Sequence, residues 1–340
     1  MPIRLNTTAG KRIMPSEVRS FLARTWQAKE TQGRVAGDFS TMRQVRVGPY
    51  ELRLCPWRKN RPQSARERVK LLTPHQPCLF DEAEVSEKQT IAILETDQSS
   101  YLLFANLFPI SRPHYLVVSP PTEPPALLTQ IIHSSTELAT MFALQESIAP
   151  TLNFAFNSHD AEHGGAGATI NHFHLHVFEF GSAPRIWPFT PLRQFGPIAN
   201  SRVRIGELRG WPARHRIFTG RNQQALGEAV HTYLQGLHQA DNAYNLIMFR
   251  YPSGRIRVAI VPRGHDKPVM PIRRAPIHRF GSGETMGTII LDCNSTVFED
   301  LITHPAETET GLDRQLEEIS VSEERLAAFD QAYIDQHSLR

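Results

Sequence analysis

The chain has few cysteines, little net charge and no long apolar run, and each of these absences narrows what it can be. Its three cysteines are widely spaced and odd in number, which excludes a disulfide framework and the short-spaced pairs of a zinc knuckle. Lys and Arg number 37 against 34 Asp and Glu, so bulk charge predicts neither a nucleic-acid nor a membrane partner. The first residues lack the pattern of a signal peptide, and no run is long enough to span a bilayer. We expect a cytoplasmic protein.

Basic residues are unevenly distributed along this balanced chain. Arginines and lysines crowd the segments 53–70 and 250–274, while the last forty residues are acidic. Two local basic segments are suited to a phosphorylated small molecule, so the expected partners are a small nucleotide substrate and phosphate.

The first part of the chain alternates short strands with two helices. Apolar residues at helical spacing predict helices over 15–32 and 126–148, and alternation over 43–55 predicts a hairpin that turns at Gly48. Further strands are predicted at 90–96, 100–106, 115–118, 152–157 and 169–179. Because the strand connections are short, the sheet should be antiparallel, and the fold class is α+β.

A weaker version of the same pattern follows. It comprises a helix over 221–238 and strands over 243–250, 255–262 and 285–292, with a connector over 181–220 and a final acidic helix over 311–335. This repetition predicts an internal duplication. The predicted units are a helical extension (1–42), a catalytic half (43–190) and a second, degenerate half (191–340).

The strongest chemical signal is three histidines at alternate positions in an apolar run. His172, His174 and His176 would share one face of an extended strand, while Phe173, Leu175 and Val177 would face a core. Because an unpaired buried polar group costs about 1–3 kcal/mol, this row is expected to be a functional site rather than a set of core histidines.

Two kinds of site fit three imidazoles. Three histidine ligands suit a catalytic zinc ion, but the outer pair on one flat strand would be roughly 13 Å apart, too wide to share an ion. A nucleophilic imidazole fits the span better. His174 would attack phosphorus while a neighbouring histidine or a backbone carbonyl holds its other nitrogen.

The segment Gly167-Ala168-Thr169-Ile170-Asn171-His172-Phe173-His174 resembles the histidine-triad superfamily of nucleotide hydrolases and transferases. The likeness is greatest to its branch of galactose-1-phosphate uridylyltransferase, diadenosine tetraphosphate phosphorylase and GDP-hexose phosphorylases. It covers about residues 43–330. It implies a duplicated antiparallel α+β fold and a covalent nucleotidyl intermediate on the second histidine, which is His174.

Other segments carry the same resemblance. Asn106 and His114 flank a strand-turn-strand element that lies near the nucleotide in that branch, and Asn157 precedes a glycine loop with Gly165 and Gly167. The resemblance implies phosphate contacts for Asn157, Thr169 and this loop. It also implies them for Arg263 and Lys267, although each of these residues also fits a plain structural or surface role.

One position departs from the branch. Its members have glutamine where this chain has His176, whereas the small hydrolases of the superfamily have histidine. We therefore expect a phosphorylase-type nucleotidyltransferase acting on a nucleotide-diphosphate sugar or a dinucleoside polyphosphate. The alternatives are a hydrolase of dinucleotides or nucleotide conjugates and, more distantly, a non-catalytic nucleotide- or metal-binding protein.

The expected roles follow from that chemistry. His172 orients, His174 attacks, and His176 contacts phosphate or donates a proton. No cofactor or metal is required. The protein should be a monomer or a homodimer, because an internal duplication can replace a dimer within one chain.

Overall fold

An 11-stranded sheet organises the protein. The computed structural model describes residues 3–6, 15–60, 78–96, 100–121, 129–148, 152–158, 166–168, 170–179, 188–195, 203–264, 272–273, 275 and 280–338. The strands are β1 (Ile3–Asn6), β2 (Arg43–Val47), β3 (Tyr50–Leu54), β4 (Thr90–Glu95), β5 (Ser100–Ala105), β6 (His114–Val118), β7 (Asn153–Asn157), β8 (His174–Phe178), β9 (Phe189–Pro191), β10 (Arg204–Leu208), β11 (Arg216–Gly220), β12 (Tyr244–Arg250), β13 (Ile256–Pro262) and β14 (Thr288–Leu291). Their order in the large sheet is β1-β4-β5-β6-β8-β7-β12-β13-β11-β10-β9.

Helices cover both faces of this sheet, so the α+β class is confirmed. They are α1 (Pro15–Thr31), α2 (Ala83–Gln89), α3 (Ser135–Ile148), α4 (Gln223–Gln239), α5 (Ser282–Thr285), α6 (Ser295–Thr303), α7 (Pro305–Ile319) and α8 (Glu323–Ser338). Every described pairing in the large sheet is antiparallel except that of β1 with β4. None of the described helices is long and apolar enough to cross a membrane.

The first part of the chain follows the predicted pattern closely. The helix at α1, the β2–β3 hairpin and the strands β4 to β7 are confirmed. Helix α3 begins later than predicted, at Ser135 rather than 126. The reason is local: the Ser134 hydroxyl accepts the N–H of Glu137, and the Glu137 carboxylate accepts the N–H of His133, so these side chains satisfy the helix N-terminus there.

The second part contains strands that the sequence did not reveal. The predicted connector over 181–220 is wrong, because β9, β10 and β11 lie within it. These strands have at most five residues, too few for a clear alternation. With them, each half runs three strands, a helix and two strands, and β7 of one half pairs with β12 of the other. The repeated topology is what a duplication would produce, and the duplication itself stays a prediction.

A small sheet with the order β14-β3-β2 covers part of one face. The strand predicted at 285–292 does exist as β14, but it pairs in parallel with β3 rather than extending the second unit. The single helix predicted at 311–335 is also wrong. Residues 320–322 separate α7 from α8, because Ser320 forms a bridge with Arg263 and the N–H of Val321 is donated to Pro262.

Two apolar layers lie on opposite faces of the large sheet. One packs it against α1, α3, α4 and α8, and the other packs it against the small sheet, α6 and α7. In the second half, the face covered by the small-sheet layer bears Ala259 and Val261 on β13. In the first half, the corresponding strand β8 bears His174 and His176. The sheet thus presents imidazoles in one half and packed aliphatic side chains in the other.

Candidate active site

The histidine strand is shorter than predicted. Phe173, Leu175 and Val177 are fully buried in the helix-side core, which confirms the predicted alternation. Strand β8 begins at His174, however, and residues 170–172 form a bend. The predicted strand over 169–179 with three histidines in one row is therefore wrong. The rings of His174 and His176 do lie side by side, with centroids 5.2 Å apart.

His172 lies in the bend that precedes β8 rather than on the strand itself. Its side chain is fully buried, its Nε2 lies 2.9 Å from the carbonyl oxygen of Ser119, and Phe80 packs edge-on against its ring. Because a carbonyl oxygen only accepts, the Nε2 of His172 carries a proton. The chain turns here because the Asn171 side chain accepts the N–H of Gln130, which draws this bend toward the segment before α3.

His174 is held in one tautomer by the same bend. Its Nδ1 lies 2.8 Å from the backbone oxygen of His172, so Nδ1 carries the proton and Nε2 keeps the lone pair. The ring is 5% exposed and meets Phe80 at a centroid distance of 5.3 Å. A deprotonated Nε2 is the form of imidazole that attacks an electrophile. It is thus the backbone of His172, and not its ring, that orients His174.

His114 adds a third imidazole to the row at its other end, beside His176. It lies on β6, the neighbour of β8, and its Nε2 is 3.0 Å from Nδ1 of His176. The N–H of Ile110 is donated to Nδ1 of His114 at 3.1 Å, which leaves the proton of the neutral ring on Nε2. That proton is donated to Nδ1 of His176. The neutral His176 then carries its own proton on Nε2.

Asn106 supports His114 from the end of the preceding strand. Its amide nitrogen is 3.1–3.2 Å from both ring nitrogens of His114. Because Nε2 of His114 carries the proton, the amide N–H can be donated only to Nδ1. The Asn106 oxygen accepts the N–H of Phe108 at 3.0 Å. Both predicted nucleotide-site residues, Asn106 and His114, are buried against the histidine row. Their contact with a nucleotide stays a prediction.

Asn157 and Arg263 belong to one buried polar network, which lies on the same face of the sheet as His174 and His176. The Asn157 oxygen accepts N–H groups from Asn245 at 2.9 Å and from Ser282 at 2.7 Å. Arg263 is 1% exposed and donates to the Asn245 oxygen at 2.7 Å and to the carbonyls of Phe280 and Ile319. These contacts fix the end of β7 against α5. The predicted phosphate roles of Asn157 and Arg263 are additional to these contacts and stay predictions.

The glycine loop meets this network at its end. Gly167 has φ of +90°, and a Cβ there would lie 3.0 Å from the Cα of Gly281, so both conformation and space require glycine. The carbonyl of Ala166 accepts from Asn245. The predicted site residues Gly165, Thr169 and Lys267 lie outside the described residues.

His172 and two other residues, Cys78 and Asp81, form a group of three possible metal ligands. Nδ1 of His172 is 3.5 Å from Sγ of Cys78 and 3.3 Å from a carboxylate oxygen of Asp81, and the three donor atoms lie within 4.8 Å of one another. A thiol, a carboxylate and an imidazole form a donor set that zinc accepts. Burial raises the pKa of Cys78 to about 12, so without an ion the thiol keeps its proton and can donate it to Nδ1.

Several residues of this site carry no sequence signal that we recognised. Cys78 and Asp81 are three positions apart from each other but 91 or more from His172, and Asn245 lies in the half that lacks the histidine row. Gln130 falls within the helix predicted over 126–148, a prediction that assigns it no role at the site. Their roles arise from contacts across the sheet, which neither periodicity nor a short motif reveals.

Comparison with known proteins agrees with this architecture. No protein-family model and no curated protein matches the sequence. The fold is similar to the crystal structure of yeast Ap4A phosphorylase Apa2, with a TM-score of 0.60 and 15% identity over 89% of this chain and 94% of that chain. The same yeast enzyme in complex with AMP gives a TM-score of 0.57 and 15% identity over 89% and 96% of the two chains. The predicted α+β fold is thereby confirmed, and the duplication stays a prediction.

Proposed function

We propose that this protein is a nucleotidyltransferase of the phosphorylase type, with Nε2 of His174 as its nucleophile. The observation that carries the proposal is the hydrogen bond from Nδ1 of His174 to the carbonyl of His172, because it leaves the lone pair on Nε2. The proposed substrate class is a dinucleoside polyphosphate, since the yeast protein with a similar fold is an Ap4A phosphorylase. A nucleotide-diphosphate sugar is the other substrate class.

The first step forms a bond between Nε2 of His174 and the α-phosphorus. The bond from phosphorus to the bridging oxygen breaks, and its electron pair leaves with the departing phosphate group. Nε2–H of His176 is the donor proposed for a phosphoryl oxygen or for the leaving group, since the relay from His114 keeps a proton on that atom. The product of this step is a nucleotidyl-histidine.

The second step returns the imidazole to its starting form. An oxygen of inorganic phosphate attacks the same phosphorus, the phosphorus–nitrogen bond breaks, and its electron pair returns to Nε2 of His174. Because the imidazole supplies the nucleophile in both directions, we propose that the reaction needs no cofactor. A metal held by Cys78, Asp81 and His172 would act on the position of His172 and thus on the bend that carries the orienting carbonyl.

Hydrolysis is the second candidate, and His176 favours it. A histidine that holds a proton on Nε2 can also exchange it with an attacking water, which the glutamine of the transferase branch cannot do. We propose phosphorolysis first because of the fold similarity. The acceptor decides between the two reactions. The remaining proposals are a cytoplasmic location, a monomer or homodimer, and no nucleic-acid partner.

The test is product analysis with and without phosphate. Diadenosine tetraphosphate and a panel of nucleotide sugars are incubated with the wild-type protein, the His174→Ala variant and the control His231→Ala. His231 lies on α4, and its Nε2 is 3.0 Å from the carbonyl oxygen of His133, away from the histidine row. We expect phosphate-dependent release of a nucleoside diphosphate by the wild type and the control, and none by His174→Ala. Nucleoside monophosphate released at the same rate without phosphate would assign the protein to the hydrolases.

A further inference from the structure

The pairing of β7 with β8 stops short of the nucleophile. The two strands pair at Asn153 with Phe178, at Phe154 with Val177 and at Ala155 with His176. Continuing this register would bring Asn157 opposite His174, but the ladder has ended before that point. The sheet therefore forks at His174, and the backbone groups of this residue need other partners on the β7 side.

The side chain of Gln130 fills the fork. Its Oε1 accepts the N–H of His174 at 2.8 Å, and its Nε2 donates to the carbonyl of His174 at 2.9 Å and to that of Asn157 at 2.8 Å. A side-chain amide thus takes the place of a peptide group between the separated strands. Gln130 is fully buried, and its own N–H is donated to Asn171 at 2.9 Å.

We infer that Gln130 is a positioning residue for the nucleophile: it clamps both backbone groups of His174 so that the ring stays on the His172 carbonyl. The kinetic part of this inference rests on the function proposed above. Gln130 itself has no role at the phosphorus, because its amide is committed to three backbone groups. What it contributes is the place and tilt of the His174 Cα, from which the bond from Nδ1 to the carbonyl two residues earlier follows.

The same chain offers a matched control at the other end of β7. Gln145 is also fully buried, and its Nε2 donates to the carbonyls of Leu152 at 3.0 Å and of Met248 at 3.1 Å. It joins the start of β7 to β12 and touches no residue of the histidine row through these bonds. A loss caused by disturbing any buried glutamine that bonds to the backbone at an end of β7 would therefore appear in both variants, whereas a positioning effect would appear only at Gln130.

The variants are Gln130→Glu, Gln130→Met and Gln145→Glu. In Gln130→Glu the ionised carboxylate can still accept the N–H of His174 but faces two carbonyl oxygens, and protonation restores one donor. Burial raises the pKa of such a carboxyl group, so the donor returns as the pH falls. Gln130→Met keeps the volume and removes all three bonds at every pH.

We expect the first-order rate of adduct formation in Gln130→Glu to fall on the order of 100-fold at pH 8, the effect of misplacing a reacting group by about 1 Å. KM should stay near the wild-type value, and the rate should recover as the pH is lowered. Gln130→Met should be slow without recovery. Gln145→Glu should keep the wild-type rate whenever it is folded. Equal losses in Gln130→Glu and Gln145→Glu, or a wild-type rate in Gln130→Met, would overturn the inference.

A second readout separates this inference from the proposed function. The ring nitrogens of His174 are observed by long-range ¹H–¹⁵N NMR of histidine-labelled protein, with the signal assigned by His174→Ala. The wild type and Gln145→Glu should show the proton on Nδ1, and Gln130→Glu at pH 8 should lose that single tautomer. If the wild type forms no adduct, the proposed function fails, and the tautomer alone decides: identical spectra in all three proteins would refute the clamp.

Discussion

Two histidines of this protein, His174 and His215, share one local geometry but differ in how Nε2 of the ring is used. His174 and His215 each place Nδ1 against the carbonyl two residues earlier, and both are buried. Nε2 of His215 accepts the N–H of Leu208 at 2.8 Å, and burial lowers the pKa of His215 to about 4. The lone pair of His215 is therefore engaged by the backbone. A carbonyl that orients the imidazole is therefore not sufficient for a nucleophile. At His174 the neighbouring His176 adds a proton donor for the reaction that we propose.

At the same scale, His176 can be tested by changing what it donates. His176→Gln keeps an N–H donor in a side chain of similar reach, whereas His176→Phe keeps only the ring volume. We expect adduct formation to fall by on the order of 10²-fold in His176→Phe, the usual cost of losing one donor to a developing negative charge, and much less in His176→Gln. The measurement is single-turnover labelling with diadenosine tetraphosphate.

Phosphate dependence in the same variants gives the control. His176→Gln should make the second step depend more strongly on added phosphate, because the group that exchanges a proton with water is gone. Equal rates in His176→Phe and the wild type would show that the proton on Nε2 is not used.

How far the sequence predicts the site is also seen at the residue scale. His174, His176, His114 and Asn106 were all selected from motifs, and the structure places them in one group. His172 was assigned to the row because alternation alone does not show where a strand begins. The bend at residues 170–172 depends on a bond between Asn171 and Gln130, a contact over 41 positions of sequence. No pattern within the histidine segment encodes that distance.

At the scale of elements, a group of partly buried titratable side chains lies on α3, on α4 and in the segment just before α3. Burial raises the pKa of Glu137 at the start of α3 to about 7, and it lowers the pKa of His238 on α4 to about 4. The nearby His231 and His133 lower the pKa of His238 further. The hydroxyl of Tyr244 accepts the N–H of Ile132 and lies 3.2 Å from Nε2 of His238, which accepts the hydroxyl proton when the neutral ring carries its own proton on Nδ1.

This arrangement predicts a pH dependence of stability. A histidine whose folded pKa lies below its unfolded value of 6.5 contributes stability that is complete above pH 6.5 and is lost as the pH falls toward 4. Replacing His238 with Gln keeps an acceptor for Tyr244 and removes this dependence. We expect the free energy of unfolding of the wild type to lose up to about 3 kcal/mol more than that of His238→Gln between pH 7 and pH 4.

Urea unfolding measured across that pH range checks this prediction. Glu137 contributes in the opposite direction, because its raised pKa makes its stability complete below pH 4.5 and lost as the pH rises through 7. Comparing the two proteins removes that common contribution. Parallel curves for the wild type and His238→Gln would contradict the assignment.

Elements were predictable from the sequence where alternation or helical spacing was long enough. Strands β4 to β7 and β12 to β13 and helices α1 and α4 follow that rule. Strands β9 to β11 were missed, and α7 and α8 were merged into one helix. In the second case, the break at residues 320–322 comes from tertiary pairing with β13 and its end at Arg263, which overrides the helical pattern of the sequence.

At the scale of the whole molecule, the two halves are interlocked. One sheet runs through both of them across the β7–β12 pairing, and the small sheet joins β14 from the second half to β2 and β3 from the first. Both apolar layers contain residues from each half. The sequence pattern predicted part of the repeated order of elements, a helix followed by two strands, but not the three strands β9 to β11 that come before it. The pairing of β14 with β3 of the first half was not predictable, because strand pairing over more than 200 positions leaves no local pattern.

This interlocking predicts a single cooperative unfolding transition. Trp26 is buried in the helix-side layer and Trp211 in the small-sheet layer, so they report on the two layers separately. Two variants are made, each keeping one of these tryptophans and replacing the others with Phe. In each variant, the urea midpoint from tryptophan fluorescence should equal the urea midpoint from far-ultraviolet circular dichroism. Fluorescence and dichroism midpoints that differ in either variant would show that the layers unfold independently.

The central claim is that Nε2 of His174 carries the nucleotide during turnover. Its most direct test is to mix the protein with diadenosine tetraphosphate without phosphate, quench, digest under mildly alkaline conditions and map the adduct by mass spectrometry. The account predicts one adenylyl group on the peptide containing His174, absent in His174→Ala and discharged when phosphate is added before the quench. An adduct on another residue, or turnover by His174→Ala at the wild-type rate, would contradict it.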